Sequence, residues 1–175
     1  MKKIIIIKHL SRAPGLRLFG LGPKCIPVNA IDQLKNLLED QSFWAKGRTK
    51  TEIKKMIRNS SCVITLWQKN RLIGFGRATS DCIYRAVLWD IVIVKDQQNS
   101  GLGKLLVKSL LSSKSIKDVE KIYLMTTNSQ DFYKSCQFEE IKTQSLLIYQ
   151  NIESNHPTRK LRGMVSPWQR NKGHE

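Results

Sequence analysis

The chain has 175 residues and a formal net charge of +16, with 30 lysines and arginines against 14 aspartates and glutamates. That length fits one domain with a core of its own, and no apolar run approaches the ~20 residues that span a bilayer, so an integral membrane protein is not expected. Four cysteines without Cys-x-x-Cys or cysteine–histidine spacing give neither a metal site nor a disulfide framework, and point to a reducing compartment.

The charge is uneven. Residues 1–24 hold six basic and no acidic side chains, and residues 151–175 hold five basic and two acidic. More than half of the excess therefore falls on the flanks, where it steers polyanions or keeps the protein soluble. The middle of the chain would suit a ligand carrying several phosphates, and would attract nucleic acid weakly and in a salt-dependent way.

In chain order, Met1 to Lys8 has a basic start and an apolar run too short for a secretory segment, and reads as an edge strand or a loose arm. Pro14, Gly15, Gly20, Gly22, Pro23 and Pro27 predict a loop over residues 11–27. The expected organisation is thus a basic arm and loop over 1–27, a domain over 28–150 and a polar basic tail over 151–175. Asn29 is placed to cap a first helix with Ile31, Leu34, Leu37 and Leu38 on its buried face. Phe43 and Trp44 follow in a connecting loop. Thr49 and Glu52 have capping-box spacing at the start of a second helix whose buried face is Ile53, Met56 and Ile57.

Strands are predicted over Cys62 to Gln68 and Arg71 to Thr79, joined at Lys69-Asn70, and then over Ala86 to Val94. The last is nearly continuous in apolar residues, as expected when both faces are covered, so its one charge, Asp90, is conspicuous. A helix with Leu102, Leu105, Leu106, Leu110 and Leu111 follows a glycine turn. Further elements are a strand over Lys121 to Thr127, a short helix over Ser129 to Ser135 and a final strand over Glu139 to Tyr149.

The junction of the apolar strand and the glycine turn carries the chemical signal. Glycine at 101 and 103 removes Cβ atoms that would hold a ligand off the backbone, so that N–H groups at a helix start can converge on an anion. Gln98-x-x-Gly101-x-Gly103, followed about thirty residues later by Phe132-Tyr133-Lys134-Ser135-Cys136-Gln137-Phe138, resembles the paired signatures of the GNAT superfamily of acyl-CoA-dependent N-acetyltransferases. The resemblance covers roughly residues 28–149. The run Leu72 to Asp81, with Trp89-Asp90 after it, is similar to the cyanobacterial and plastid branch, whose plant members acetylate arylalkylamines and protein amino groups.

The resemblance implies an α/β (α+β) fold, a central mixed and mostly antiparallel sheet flanked by helices, with two central strands splayed apart around pantetheine. It implies acetyl-CoA as cosubstrate, no metal, and an amine acceptor: an arylalkylamine or a protein amino group. The coenzyme-binding residues it implies are Ile91, Val92, Ile93, Gln98, Asn99, Ser100, Gly101, Leu102, Gly103, Lys104, Asn128 and Tyr133, with the N–H of Ile93 or a neighbour polarising the thioester carbonyl. Tyr133 is the candidate acid for the departing thiolate. Asp90 is the candidate base, or orients a water that takes the amine proton, or else is a structural buried hydrogen-bonder: a carboxylate in an apolar strand should have a raised pKa, although strict alternation would put Trp89 and Asp90 on opposite faces. A β-bulge there would bring both inward. Trp89 would then wall the acceptor pocket, bordered by Phe43, Trp44 and Tyr84.

Asp81 is a weaker alternative acid, and His9, His156 and His174 are expected to lie outside the domain. Cys136 is not expected to carry an acyl group. Two departures from the family pattern stand out: Gln137 takes the place of a glycine before Phe138, and Ser100 the place where a basic residue often precedes the first glycine. The competing readings are a domain that binds acetyl-CoA without turnover and a weakly nucleic-acid-associated basic protein. Specific nucleic-acid binding is not expected, because aromatic residues are not interleaved with Lys and Arg on one strand. Oligomeric state is not legible. The branch and a Lys-, Ile- and Asn-rich composition point to the plastid stroma of an alga, or else a cyanobacterial cytoplasm.

Overall fold

In the computed structural model, which describes residues 3–149, five strands form one sheet in the order β1-β2-β3-β4-β5. They are β1 (Ile4–Lys8), β2 (Cys62–Gln68), β3 (Arg71–Ser80), β4 (Arg85–Ile93) and β5 (Lys121–Tyr123). The first three pairings are antiparallel and only β4–β5 is parallel, as the mixed sheet implied by the resemblance requires. Five helices accompany it among the described residues: α1 (Pro14–Phe19), α2 (Ala30–Gln41), α3 (Lys50–Arg58), α4 (Leu102–Leu111) and α5 (Gln130–Lys134).

Alternation along the strands sends side chains to two faces, and each face has its own cover. Val63, Trp67, Leu72, Phe75 and Val92 pack under α1, α2 and α3, against Leu16, Leu34, Leu38, Ile53 and Ile57. On the other face Ile64, Leu66, Ile73, Leu88 and Ile93 meet Leu102, Leu106 and Leu110 of α4. Gly76 lies under α4, where a Cβ would sit 3.0 Å from Leu110 and crowd the helix. The capping box at α3 is formed: Glu52 N–H donates to Thr49 Oγ1 and Thr49 N–H to Glu52 Oε2.

Three sequence expectations are corrected. Of the two readings of Met1 to Lys8 the edge strand holds, with β1 paired to β2 over Ile4–Lys8, but the loop expected over residues 11–27 contains α1, whose Leu16 is fully buried. Proline and glycine misled there because Pro14 occupies the first helical turn, where its missing N–H has no partner to lose. The strand expected over Lys121 to Thr127 stops at Tyr123. The strand expected over Glu139 to Tyr149 is not formed; these residues carry no helix or strand, and Leu146 to Tyr149 are exposed. An apolar run has strand propensity, but a strand needs a partner backbone to pair with. The tail expected over 151–175, with His156 and His174, lies outside the described residues.

Candidate active site

The expected bulge is present in β4. Phe75 faces Val92 and Arg77 faces Trp89, so Asp90 and Ile91 together stand opposite Gly76. Asp90 has φ +50°, a left-handed conformation that aspartate tolerates better than most residues. This extra residue breaks the alternation and puts Trp89 and Asp90 on one face, since both meet Arg77. Arg77 Nε donates to Asp90 Oδ2 at 2.7 Å, and the guanidinium carbon lies 5.6 Å from the centre of the Trp89 ring.

Asp90 has more partners than a proton acceptor would. Arg48 Nη1 donates to its Oδ1 at 3.1 Å and Trp44 Nε1 to the same oxygen at 3.3 Å. Its side chain is 4% exposed, and those of Arg48 and Arg77 are 15% and 14% exposed. Both carboxylate oxygens are thus occupied by guanidinium groups, one from β3 and one from the α2–α3 connection. Phe43 and Trp44 occupy a 3-10 turn after α2, stack edge to face at 5.0 Å and stay half-exposed beside this cluster. Trp89 donates Nε1–H to Thr79 Oγ1 at 2.8 Å.

Beyond the bulge β4 loses a neighbour. Its pairing with β5 runs only from Arg85–Lys121 to Val87–Tyr123, so Leu88 to Ile93 have no strand on that edge. Val94 N–H donates to Ile73 C=O of β3 at 3.0 Å, and alternation turns the polar groups of Ile93 the other way, toward the vacated edge. There Ile93 C=O accepts from Gln98 Nε2 at 3.1 Å, while its N–H faces the opening. Ile93, preceded by Ile91 and Val92, therefore forms the rim of the edge of β4 that β5 leaves unpaired.

The glycine turn closes that rim. Asn99 and Gly101 have φ of +58° and +82°, and a Cβ at Gly101 would meet nothing within 4 Å. The first backbone bond of α4 runs from Leu105 N–H to Gly101 C=O at 3.0 Å, so the N–H groups of Leu102, Gly103 and Lys104 stand ahead of the ladder at the positive end of the helix. Those of Asn99, Ser100 and Gly101 likewise have no partner among the described residues. Gly103 serves packing: a Cβ would sit 3.0 Å from the Phe132 ring. That ring ties the turn to α5, where Phe132 and Tyr133 meet edge to face at 4.9 Å.

Burial raises the Tyr133 phenol to about 12, with the nearby Cys136 adding to the shift. No hydrogen bond engages its hydroxyl among the described residues. Asn128 precedes α5 but does not cap it; its Oδ1 accepts from Ser129 Oγ at 3.4 Å. Gln137 adopts φ +70°, so the turn usually made by glycine is kept at some strain, with Phe138 N–H returning to Tyr133 C=O at 3.1 Å.

Other candidates fall elsewhere. Asp81 Oδ1 accepts three backbone N–H groups, from Ile83, Tyr84 and Arg85, which hold its carboxyl below the usual range, so it is no acid at neutral pH. Tyr84 sits in the β3–β4 turn, six residues before Asp90 along an extended strand, and is not brought to Phe43 and Trp44. His9 is not outside the fold: its Nε2 pairs with Thr65 Oγ1 at 2.8 Å, which also accepts from Trp67 Nε1 at 2.7 Å. Burial lowers its pKa to about 4. Arg48 and Arg77 were not singled out by sequence; Arg77 could have been, as a charge within an apolar strand. Among the described residues no group of histidine, cysteine or carboxylate side chains is placed to hold a metal ion, and no helix is long and apolar enough to cross a membrane.

Comparison with known proteins identifies the family. Residues 59–140 match the family described as acetyltransferase (GNAT) domain. The uncharacterized N-acetyltransferase ycf52 of Pyropia yezoensis is 36% identical over 143 residues, covering 78% of this chain and 79% of that protein. A ycf52-like N-acetyltransferase of Prochlorococcus marinus is 34% identical over 115 residues, 62% of this chain and 63% of that one. A GNAT-family acetyltransferase structure from Streptococcus pneumoniae superposes with a TM-score of 0.63 at 16% identity, over 86% of this chain and all of that one. These relatives suggest a plastid or cyanobacterial origin.

Proposed function

The chain belongs to the GNAT family of acetyltransferases, and from that premise we propose that it transfers the acetyl group of acetyl-CoA to a primary amine by direct attack in a ternary complex. The observation that carries the reading is the unpaired edge of β4, where β5 ends at Tyr123 while β4 runs on to Ile93, followed in the chain by the open glycine turn. The pyrophosphate is assigned to the N–H groups of Asn99 to Lys104, and the pantetheine arm to the free edge of β4, where it takes the place of a strand. The Ile93 N–H is assigned to the thioester oxygen, where charge develops.

The amine enters neutral, its proton left to water, and its nitrogen attacks the thioester carbon. As the C–S bond breaks, the sulfur takes the Tyr133 proton, the acylated nitrogen gives up its surplus proton to water, and water returns a proton to the phenolate. A phenol raised to about 12 remains protonated at neutral pH, which an acid requires. Alignment provides much of the acceleration, up to roughly 7 to 11 kcal/mol for well-placed reactants. Asp90 is assigned to holding the bulge rather than to proton removal, because its oxygens are engaged by Arg48 and Arg77. Phe43, Trp44 and Trp89 are assigned to the acceptor side, a surface that favours an arylalkylamine. The algal plastid stroma is the proposed location.

Tyr133→Phe is the test: release of CoA thiol with tryptamine as acceptor should fall ~100-fold, with CoA affinity kept within a few-fold. Turnover at the parent rate would remove Tyr133 from the mechanism.

A further inference from the structure

At the far end of the sheet from the glycine turn, an open concavity of about 480 Å³ lies between the β1–α1 connection, the C-terminal turn of α3 and the residues entering β2. Its size is within the ~300–1,000 Å³ of small-molecule sites. Its rim carries Arg12, Lys55 and Arg58, and no carboxylate lines it. None of these three cations is ion-paired among the described residues.

We propose that this concavity is a second anion site, built for a compact oligophosphate and separate from the coenzyme turn. Three features carry the assignment. The cations come from two elements: Lys55 and Arg58 complement the negative end of α3, but Arg12 arrives from the β1–α1 connection and has no helix end to neutralise. Its backbone is turned there by two successive left-handed residues, Arg12 at φ +62° and Ala13 at +40°. The floor is rigid, since Ser60 Oγ donates to Met56 C=O at 2.9 Å and Ser61 Oγ both donates to Ser80 C=O and accepts from Ser80 N–H. Finally, the lining holds no aliphatic or aromatic side chain, so a nucleobase or acyl chain finds no platform, while an anion charged over its whole surface meets cations and the Asn59 and Ser11 side chains.

The test is calorimetric titration of the full chain with inorganic tripolyphosphate at 0.15 M salt. The wild-type protein should bind at two sites, and saturation with CoA should leave one. Gly101→Asp should keep that remaining site at unchanged affinity, whereas Arg12→Gln/Arg58→Gln should weaken it tenfold or more and leave CoA affinity within twofold. Loss of all tripolyphosphate binding in the presence of CoA would overturn the proposal. So would wild-type tripolyphosphate affinity in the double variant. Binding of a single-stranded oligonucleotide without tripolyphosphate binding would assign the surface to nucleic acid and equally overturn it.

Discussion

Replacing Asp90 by asparagine separates two roles for that residue. Asparagine matches its shape and tolerates the left-handed backbone at φ +50°, so the substitution removes charge without adding strain. Two guanidinium groups, each about 15% exposed, would lose their counter-ion. Breaking a buried pair by removing one partner costs about 3–5 kcal/mol, and the remaining acceptor oxygen of asparagine puts the expected loss near 3 kcal/mol. For a body of this size that lowers Tm by roughly 6 to 12 °C. The assay is thermal unfolding beside turnover measured well below Tm. Turnover should stay within ~10-fold of wild type, and Asp90→Asn/Arg77→Gln should be less destabilised than the sum of its parts by about 1–2 kcal/mol. An unchanged Tm with a loss of 100-fold or more in turnover would refute the anchor reading and restore Asp90 as a base.

Gly101→Asp places bulk and negative charge in the open turn and should abolish CoA binding; undiminished protection by CoA against thermal unfolding would remove the turn from the site. His9 titrates at about 6.5 when unfolded and about 4 when folded, so its neutral form contributes stability fully above pH 6.5, lost as pH falls toward 4. The loss approaches about 3 kcal/mol at pH 4, and urea titrations at pH 7 and 4.5 should show a drop in wild type that is reduced in His9→Gln. Gln137→Gly relieves the positive φ before Phe138 and should raise stability by about 0.5–1 kcal/mol in urea unfolding, with turnover unchanged; a lower midpoint would contradict the strain assigned there.

Local patterning identified much of the fold because each helix from α2 to α4 carries one apolar stripe, and the β2–β3 hairpin has a tight turn. The same reasoning missed α1, where proline marks a helix start as readily as a break. It also supplied a last strand that is absent, since a run such as Leu146 to Tyr149 cannot say what pairs with it. At the site, Asp90 drew notice as a lone charge and suggested a bulge, but its employment did not follow. Arg77 lies 13 residues away and Arg48 42, and no spacing rule links three elements that meet only in the folded chain. Gly103 was read for ligand access, whereas the ring of Phe132 gives it a packing reason as well.

The early end of β5 bears on behaviour during synthesis and storage. Beyond Val87 alternate residues of β4 turn main-chain groups toward an edge without a strand, open to whatever extended backbone arrives first, and another molecule of the same protein can answer as well as the proposed pantetheine arm. Coenzyme supply would then govern solubility together with rate: a cell short of it would hold this protein in its most self-adhesive form.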